Sequence, residues 1–504
     1  MPALSAYANM SRMIDENTAI EQADKTALLG TTLVDADGPF LNPAIESILQ
    51  FRDALWSGPL VLLLVFAGVY QTVRLRGLQF RYLLYSLKLV FIPRFLAKEG
   101  EKRTGFLKKY GANKTGDLSS FQSLMTALAG AIGTGNVTGI ATAVVAGGVG
   151  ALFWMWIIAL FGMATAYSEA LLAVKFREFN KEGHACGGPM YTLRNGVKSK
   201  ALAMAFALFG AIAAFGIGNL VQANSVADAV YSVHGVSREL TGGIMVLLLG
   251  AVVLGGIDSI GRLAGYLVPF MAVAYLGAGI TILLVHADRI IPAFGLIVRS
   301  AFTGQAAVGG FIGSSLMMAL QQGVSKGVFS NEAGLGSLSI AAATAKAPHP
   351  AQQGFFAISG VFISTMLVCT ITGLVLAVTQ VLGSTTPTGE LITGSALALD
   401  AFASVYPALK HLVFIALVLF AFTTILAWAY YGEKCMEYLC GTRVAYAYRW
   451  VYTAVVYFGA VLELELVWGV TEIANGLMAI PNLIAIILLS RVVKTETKDY
   501  FKTK

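Results

Sequence analysis

From Leu118 to Ser168 the chain contains no Asp, Glu, Lys, Arg or His. A run of that length cannot form the surface of a water-soluble domain. About 20 apolar residues cross the hydrocarbon core of a bilayer as a helix, so this run is long enough to cross more than once. Composition carries the same message along the whole chain. Of 504 residues, 57% are hydrophobic and 12% charged, against about 25% charged in a soluble domain. Disorder and a secreted disulfide scaffold, for which four cysteines are too few, are excluded. The net charge of +7 does not point to nucleic acid, because the cations cluster in short segments between apolar runs, as they do at a membrane surface. Cys435 and Cys440 lack a second pair and a neighbouring histidine, so no zinc site is expected. The expected class is an all-α polytopic membrane protein.

Apolar runs near 58–74, 118–147, 150–174, 201–229, 239–257, 262–286, 304–323, 352–382, 408–432, 448–463 and 465–489 give 11 expected transmembrane helices. Residues 1–57 are acidic, with Asp15, Glu16, Glu21, Asp24, Asp35, Asp37, Glu46 and Asp53. Residues 75–117 are basic, with Arg76, Arg81, Lys88, Arg94, Lys98, Lys102, Arg103, Lys108, Lys109 and Lys114. The positive-inside rule puts the basic segment in the cytoplasm and the acidic N-terminus outside. An odd number of spans then leaves the tail at 490–504 in the cytoplasm, in keeping with Arg491, Lys494, Lys498, Lys502 and Lys504. Loops at 175–200 and 433–449 fall on the same side. Residues 78–96 interleave cations with Leu78, Phe80, Leu83, Leu84, Leu87 and Phe91, which suits either a helix lying in the interface or an ordinary loop helix.

With the N-terminal span at 58–74 set aside, ten remain, five in 118–286 and five in 304–489, joined by an extracytoplasmic connection at 287–303. An odd number per half makes the halves inverted repeats. The first half opens on Ala131-Ile-Gly-Thr-Gly-Asn136 in mid-span. The second opens on Gly309-Gly-Phe-Ile-Gly-Ser-Ser315, within an uncharged run from Ser300 to Ser325. Glycine costs about 1 kcal/mol in a helix interior, and unwound backbone survives in a bilayer only where it lines a cavity or lies inside protein. Interruptions at matching places in two repeats are the sequence mark of a transporter's central site; close packing through small residues is the alternative.

A broken helix offers N–H groups to a carboxylate and C=O groups to an ammonium group or Na⁺. Such a site suits a small zwitterion without any buried ionised side chain, and neither expected break has one nearby. Thr423 and Thr424 supply adjacent hydroxyls of the kind a hard cation favours, although threonines in membrane helices also bond back to the preceding turn. Trp428 lies on the same helix face as Thr424, either walling a pocket or facing lipid. Asn219, Gln222 and Asn224, in Phe215-Gly-Ile-Gly-Asn-Leu-Val-Gln-Ala-Asn-Ser, either bridge helices or contact a polar ligand. Glu472 is an acid near the outer end of the last span, suited to a gate, an ion ligand, a proton carrier or a solvated vestibule.

The stretch Gly147-Gly-Val-Gly-Ala-Leu-Phe153-Trp-Met-Trp156-Ile-Ile-Ala-Leu-Phe-Gly162 resembles the signature of the alanine or glycine:cation symporter family, the sodium/alanine symporters. Gly133-Thr-Gly-Asn136, Gly187-Gly-Pro-Met-Tyr191, Ala223-Asn-Ser-Val-Ala-Asp228 and Gly327-Val-Phe-Ser-Asn-Glu-Ala-Gly-Leu-Gly-Ser337 add to the resemblance. It implies a leucine-transporter-like fold of 5+5 inverted repeats with one extra N-terminal helix, in a bacterial or archaeal inner membrane. It also implies sodium-coupled import of a small neutral amino acid, alanine or glycine. The amides of Thr134 and Gly135 would then hold the substrate carboxylate. Gly310 and Phe311, with neighbouring carbonyls, would hold its ammonium group and side chain, and Trp428 would close the pocket. A sodium site would use the carbonyls of Ala129 and Ile132 with Thr423 and Thr424, and Ser330–Gly336 would be a cytoplasmic loop that moves in inner gating. No cofactor is expected beyond co-transported Na⁺. A proton-coupled permease relying on Glu472 is the near rival; an intramembrane enzyme or receptor would need a cluster of acid, base or metal residues that the sequence lacks.

Overall fold

The computed structural model describes residues 41–92, 116–303, 316–386, 389, 391–462 and 465–502. Residues 1–50 form a unit of their own, of which 41–50, the start of α1 (Leu41–Ser57), are described. Residues 51–504 form the second unit.

The apolar runs fold as helices because in lipid every backbone polar group has to be satisfied within the chain. Among the described residues, seven segments are long and apolar enough to cross a membrane: Glu46–Arg74, Ala151–Lys175, Lys200–His234, Gly256–Val285, Pro350–Thr379, Pro407–Cys440 and Gly469–Leu488. The span expected at 304–323 lies partly outside the described residues, and the remaining expected spans fall on helices that are shorter, interrupted or more polar. In chain order, α2 is Pro59–Arg74 and α3 is Leu83–Phe91. The first repeat follows as α4 (Ser120–Ala131), α5 (Thr138–Gly147), α6 (Ala151–Lys175), α7 (Lys200–Phe215), α8 (Val221–His234), α9 (Arg238–Val253) and α10 (Gly256–Val285). An amphipathic helix, α11 (Ala287–Thr303), leads to the second: α12 (Leu316–Asn331), α13 (Ser337–Ala342), α14 (Pro350–Val361), α15 (Thr370–Thr379), α16 (Gly394–Ala403), α17 (Pro407–Cys440), α18 (Thr442–Val461) and α19 (Glu465–Leu488). The chain closes on α20 (Ser490–Lys502).

Local sequence fixes where these helices start. Ser119 and Gln122 form a reciprocal cap at the head of α4, the Ser119 hydroxyl accepting the Gln122 N–H at 3.1 Å and Gln122 Oε1 accepting the Ser119 N–H at 3.2 Å. Ser199 and Ser237 cap α7 and α9 in the simpler way. Proline opens α2, α14 and α17, where its missing N–H costs nothing.

Two helices, α6 and α17, are apolar all round and lie in the middle of the bundle, with α6 against α12 and α14, and α17 against α4, α7 and α10. Leu62, Val73, Leu247, Tyr266, Val273 and Ile291 are exposed on the outer helices, a belt that hydrocarbon tolerates and water does not. Helix α3 turns Tyr82 and Tyr85 onto Phe355 of α14 and onto α20, where the Tyr85 and Tyr500 hydroxyls meet at 2.7 Å. One face of α3 is thus covered by protein.

The loop at 175–200 meets the end of α17 at the β1–β2 hairpin (Glu178–Phe179, Ala185–Cys186), where Asn180 donates to Glu437 at 3.0 Å. A polar cavity of about 310 Å³ opens there, with Arg449 forked onto Glu433 at 2.7 and 2.8 Å and Lys434 paired with Glu437 at 2.6 Å. Replacing Glu433 by alanine leaves a guanidinium that is mostly shielded from water without its partner. A loss of about 3 kcal/mol, the lower end for breaking a buried pair, is expected, read as a lowered thermal midpoint in detergent.

Candidate functional site

Helix α4 stops at Ala131. Ile132 (φ −86°, ψ 86°) makes an inverse γ-turn, with the Gly133 N–H donated to the Ala131 carbonyl at 3.2 Å, Gly133 (φ −120°, ψ −158°) is extended, Thr134–Asn136 make a single 3₁₀ turn, and α5 resumes at Thr138. The break falls on Gly133-Thr-Gly-Asn136, within the uncharged run. Three side chains close around it. Gln222 Oε1 accepts the Thr134 hydroxyl at 3.0 Å and, at a long 3.4 Å, the Thr134 N–H. Asn136 accepts the Gly133 N–H at 3.2 Å and donates through Nδ2 to the Ser364 carbonyl at 3.2 Å and the Ser330 carbonyl at 3.5 Å. The Phe329 ring covers Gly135 so closely that an added Cβ would stand 2.5 Å from two of its carbons.

The expected second break at 309–313, with Gly310 and Phe311, lies outside the described residues. The described interruption of the second repeat is further along. Helix α12 ends at Asn331 and α13 begins at Ser337. Between them Glu332 (φ 53°), Gly334 (φ 95°) and Gly336 (φ 87°) sit in the left-handed region. Glycine makes two of those turns free of Cβ strain, while Glu332 carries a cost of about 1–3 kcal/mol of the sort stored at functional sites. The end of α12 touches the first break through Phe329 and Ser330, so Ser330–Gly336 is a buried helix junction. The junction also holds an acid, Glu332. Glu332 accepts the Trp428 indole N–H at 3.1 Å and the Ser337 hydroxyl at 2.6 Å.

The third core helix carries a π turn at Gly216–Leu220, between α7 and α8. A widened turn of this kind frees a carbonyl, and Gln222 Nε2 donates to the Ile217 carbonyl at 3.1 Å, which aims its oxygen at Thr134. The backbone at Gly218 lies directly against the Trp428 side chain. Asn219 and Asn224 do not join the break: Asn219 donates to the Tyr452 carbonyl at 2.7 Å and Asn224 to the Leu462 carbonyl at 3.2 Å. Of the three amides, Gln222 is the one that reaches Thr134.

The hydroxyl of Thr424 lies 2.9 Å from the Ala129 carbonyl of α4 and 2.9 Å from the Phe420 carbonyl in its own helix, donating to one at a time. It also faces Gly133, where an added Cβ would come within 2.7 Å. Thr423 points elsewhere, with its hydroxyl 3.1 Å from the Phe420 carbonyl and 3.8 Å from Met271 Sδ. Ile132 caps α4 through its N–H, donated to Leu128 at 2.7 Å. Thr424 and the Ala129 carbonyl thus meet beside the break, with the side-chain oxygen of Thr423 turned away.

Above the break a cavity of about 260 Å³ is lined by Thr134, Gly135, Thr138, Ser225 and Phe329. Its mouth is charged. Glu472 stands between Arg52 and Lys326, 3.6 Å from each, and its carbonyl accepts the Trp56 indole N–H at 3.0 Å.

The model of the sodium:alanine symporter family matches residues 42–504. The chain belongs to the sodium:alanine symporter family. It is 48% identical over 450 residues to the sodium/alanine symporter AgcS of Methanococcus maripaludis, covering 88% of this chain and 95% of that one. A probable sodium/glutamine symporter of Bacillus subtilis, GlnT, is 34% identical, with 90% of each chain covered. Among solved structures, a Na⁺-coupled sialic acid symporter superposes with a TM-score of 0.51 at 12% identity, covering 86% of this chain and 98% of that one, a likeness of fold alone. The chain is therefore a multi-pass, leucine-transporter-like, cation-coupled amino-acid symporter and not an enzyme.

For this family member the placing of Gln222 has a measurable consequence. Gln222→Leu leaves the Thr134 hydroxyl without its acceptor and the Ile217 carbonyl without its donor. Each unmet group costs about 1–3 kcal/mol, so the amino-acid concentration for half-maximal uptake is expected to rise about tenfold or more. Asn224→Ala, at the periphery, is expected to stay near wild type in the same liposome assay.

Proposed function

We propose that the protein imports alanine, or another small neutral amino acid, together with Na⁺ by alternating access. The observation that carries this reading is the Thr134–Gly135 turn, which has a cavity above it and the Ala129 carbonyl and Thr424 hydroxyl beside it. The substrate carboxylate would take the amides of Thr134 and Gly135, displacing the long contact from Gln222. Phe329 packs against Gly135 and, with Trp428, would limit the side chain to a small one. Main-chain carbonyls at the end of α12 would receive the ammonium group. Na⁺ would sit among the carbonyls of Ala129 and Ile132 and the hydroxyl of Thr424, with Thr423 joining after a rotamer change.

Sodium there would tie α4 to α17 and hold the broken turn in its binding shape, raising substrate affinity. Linkage requires substrate to raise Na⁺ affinity by the same factor. The charged mouth at Arg52, Glu472 and Lys326 would face outside, and the β1–β2 hairpin the cytoplasm, in a bacterial or archaeal inner membrane. With roughly 2.3 kcal/mol per charge per 100 mV available, one Na⁺ could concentrate a neutral zwitterion substantially. Equilibrium binding of a panel of amino acids to purified protein, with and without Na⁺, tests the reading. Alanine and glycine are expected to bind more tightly in Na⁺ than in K⁺, and glutamine weakly or not at all; cation-independent binding would remove the sodium site from the account.

A further inference from the structure

Two acids that the transport reading does not use lie inside the bundle beside the second interruption. Glu169, on α6, and Glu332, just beyond α12, are each 3% exposed. Glu169 Oε1 accepts the Gly334 backbone N–H at 3.0 Å and the Asn482 amide at 2.6 Å, the Gly336 N–H also faces the carboxyl, and Oε2, buried as well, makes no short hydrogen bond. Both oxygens of Glu332 are taken, Oε1 by the Trp428 indole and Oε2 by the Ser337 hydroxyl. All of these donors are neutral. The two acids lie in one another's field, and the other titratable group that feels Glu332 is Tyr431 on α17. Among the described residues no Lys, Arg or His compensates either of them.

Two ionised carboxylates cannot share such a place. A buried unpaired ion costs several kcal/mol even after the protein relaxes around it, and neighbouring carboxylates resist ionising together. At least one of the two charges has to be neutralised. A metal cation needs several oxygen ligands, and the Gly334 carbonyl on this side is already occupied by Asn482 at 2.9 Å. A proton needs one oxygen.

We propose that Glu169 and Glu332 form a proton-binding site at the second interruption, with one proton held on Oε2 of Glu169 and Glu332 ionised. An ionised carboxylate only accepts, which fits the two donors on Glu332. On Glu169 the proton occupies the oxygen that makes no short hydrogen bond, so Oε1 keeps the Gly334 N–H and the Asn482 amide. The protonated acid thereby ties α6 and α19 to the left-handed junction between α12 and α13, without setting a second negative charge beside the one that holds Trp428. The site goes beyond the sodium-coupled reading; the spectroscopic test below needs neither Na⁺ nor substrate, so the two can fail separately.

Infrared spectroscopy of the full-length protein in lipid nanodiscs at neutral pH, without Na⁺ or amino acid, reads the proton directly. The wild type minus Glu169→Gln difference spectrum is expected to show a carboxylic-acid C=O band that shifts in D₂O. Glutamine has the shape of the neutral acid, so sodium-driven uptake by Glu169→Gln is expected to stay within about threefold of wild type. Lack of a protonated-carboxyl band in the wild type overturns the proposal whether or not the variant folds. So does a band that added Na⁺ abolishes, because the occupant would then be the metal cation.

Discussion

Thr424→Val, reconstituted in liposomes, is expected to need roughly 10- to 150-fold more Na⁺ for half-maximal amino-acid uptake, the equivalent of about 1.5–3 kcal/mol for a hydrogen-bonding group lost from a charge. Valine preserves the volume and the β-branch, and packing is therefore undisturbed. What disappears is the single side-chain oxygen that stands 2.9 Å from the Ala129 carbonyl. The neighbouring Thr423→Val is the control, since its hydroxyl faces Phe420 and Met271. If Na⁺ draws Thr423 in by a rotamer change, that variant loses Na⁺ affinity too, by a smaller factor. Titrating uptake against Na⁺ at fixed membrane potential separates the two.

The second large effect belongs to Gly135. Gly135→Ala sets a methyl carbon 2.5 Å from two carbons of the Phe329 ring, closer than real side-chain contacts come. The ring is only partly buried and borders the cavity, so it has one direction in which to yield, into the space above the break. Overpacking of this sort costs about 1–3 kcal/mol, and uptake is expected to fall by about 5- to 150-fold. Shortening the ring in the double variant Gly135→Ala/Phe329→Leu is expected to recover part of the loss. Kinetics that show no such recovery would assign the damage to the backbone turn instead of the cavity.

How far the residues alone reveal this site differs from one element to the next. The helices and the first break are plain in the sequence because twenty-residue apolar runs and Gly133-Thr-Gly-Asn136 act locally. The junction between α12 and α13 is harder. The break expected at Gly309–Gly313 lies outside the described residues, and averaged hydropathy draws attention to that uncharged run before one that holds Glu332. What decides is long-range: Glu169 and Asn482, distant in sequence, take the freed backbone of Gly334. An acid beside a left-handed pair of glycines, Glu332-Ala-Gly-Leu-Gly336, is the signal that could have located it. Phe329 escaped notice for the same reason, since an aromatic residue in an apolar helix reads as lipid-facing until the helix end is known. The choice among Asn219, Gln222 and Asn224 depends on the π turn at Gly216–Leu220, which rotates the residues after it away from ordinary helical spacing.

The most direct test of coupled transport is radiolabelled alanine uptake into protein-containing liposomes, driven by an inward Na⁺ gradient in one arm and an equal K⁺ gradient in the other. Accumulation above the external concentration in the Na⁺ arm, abolished by a Na⁺ ionophore, is the expected result. Equal accumulation in both arms would contradict the account.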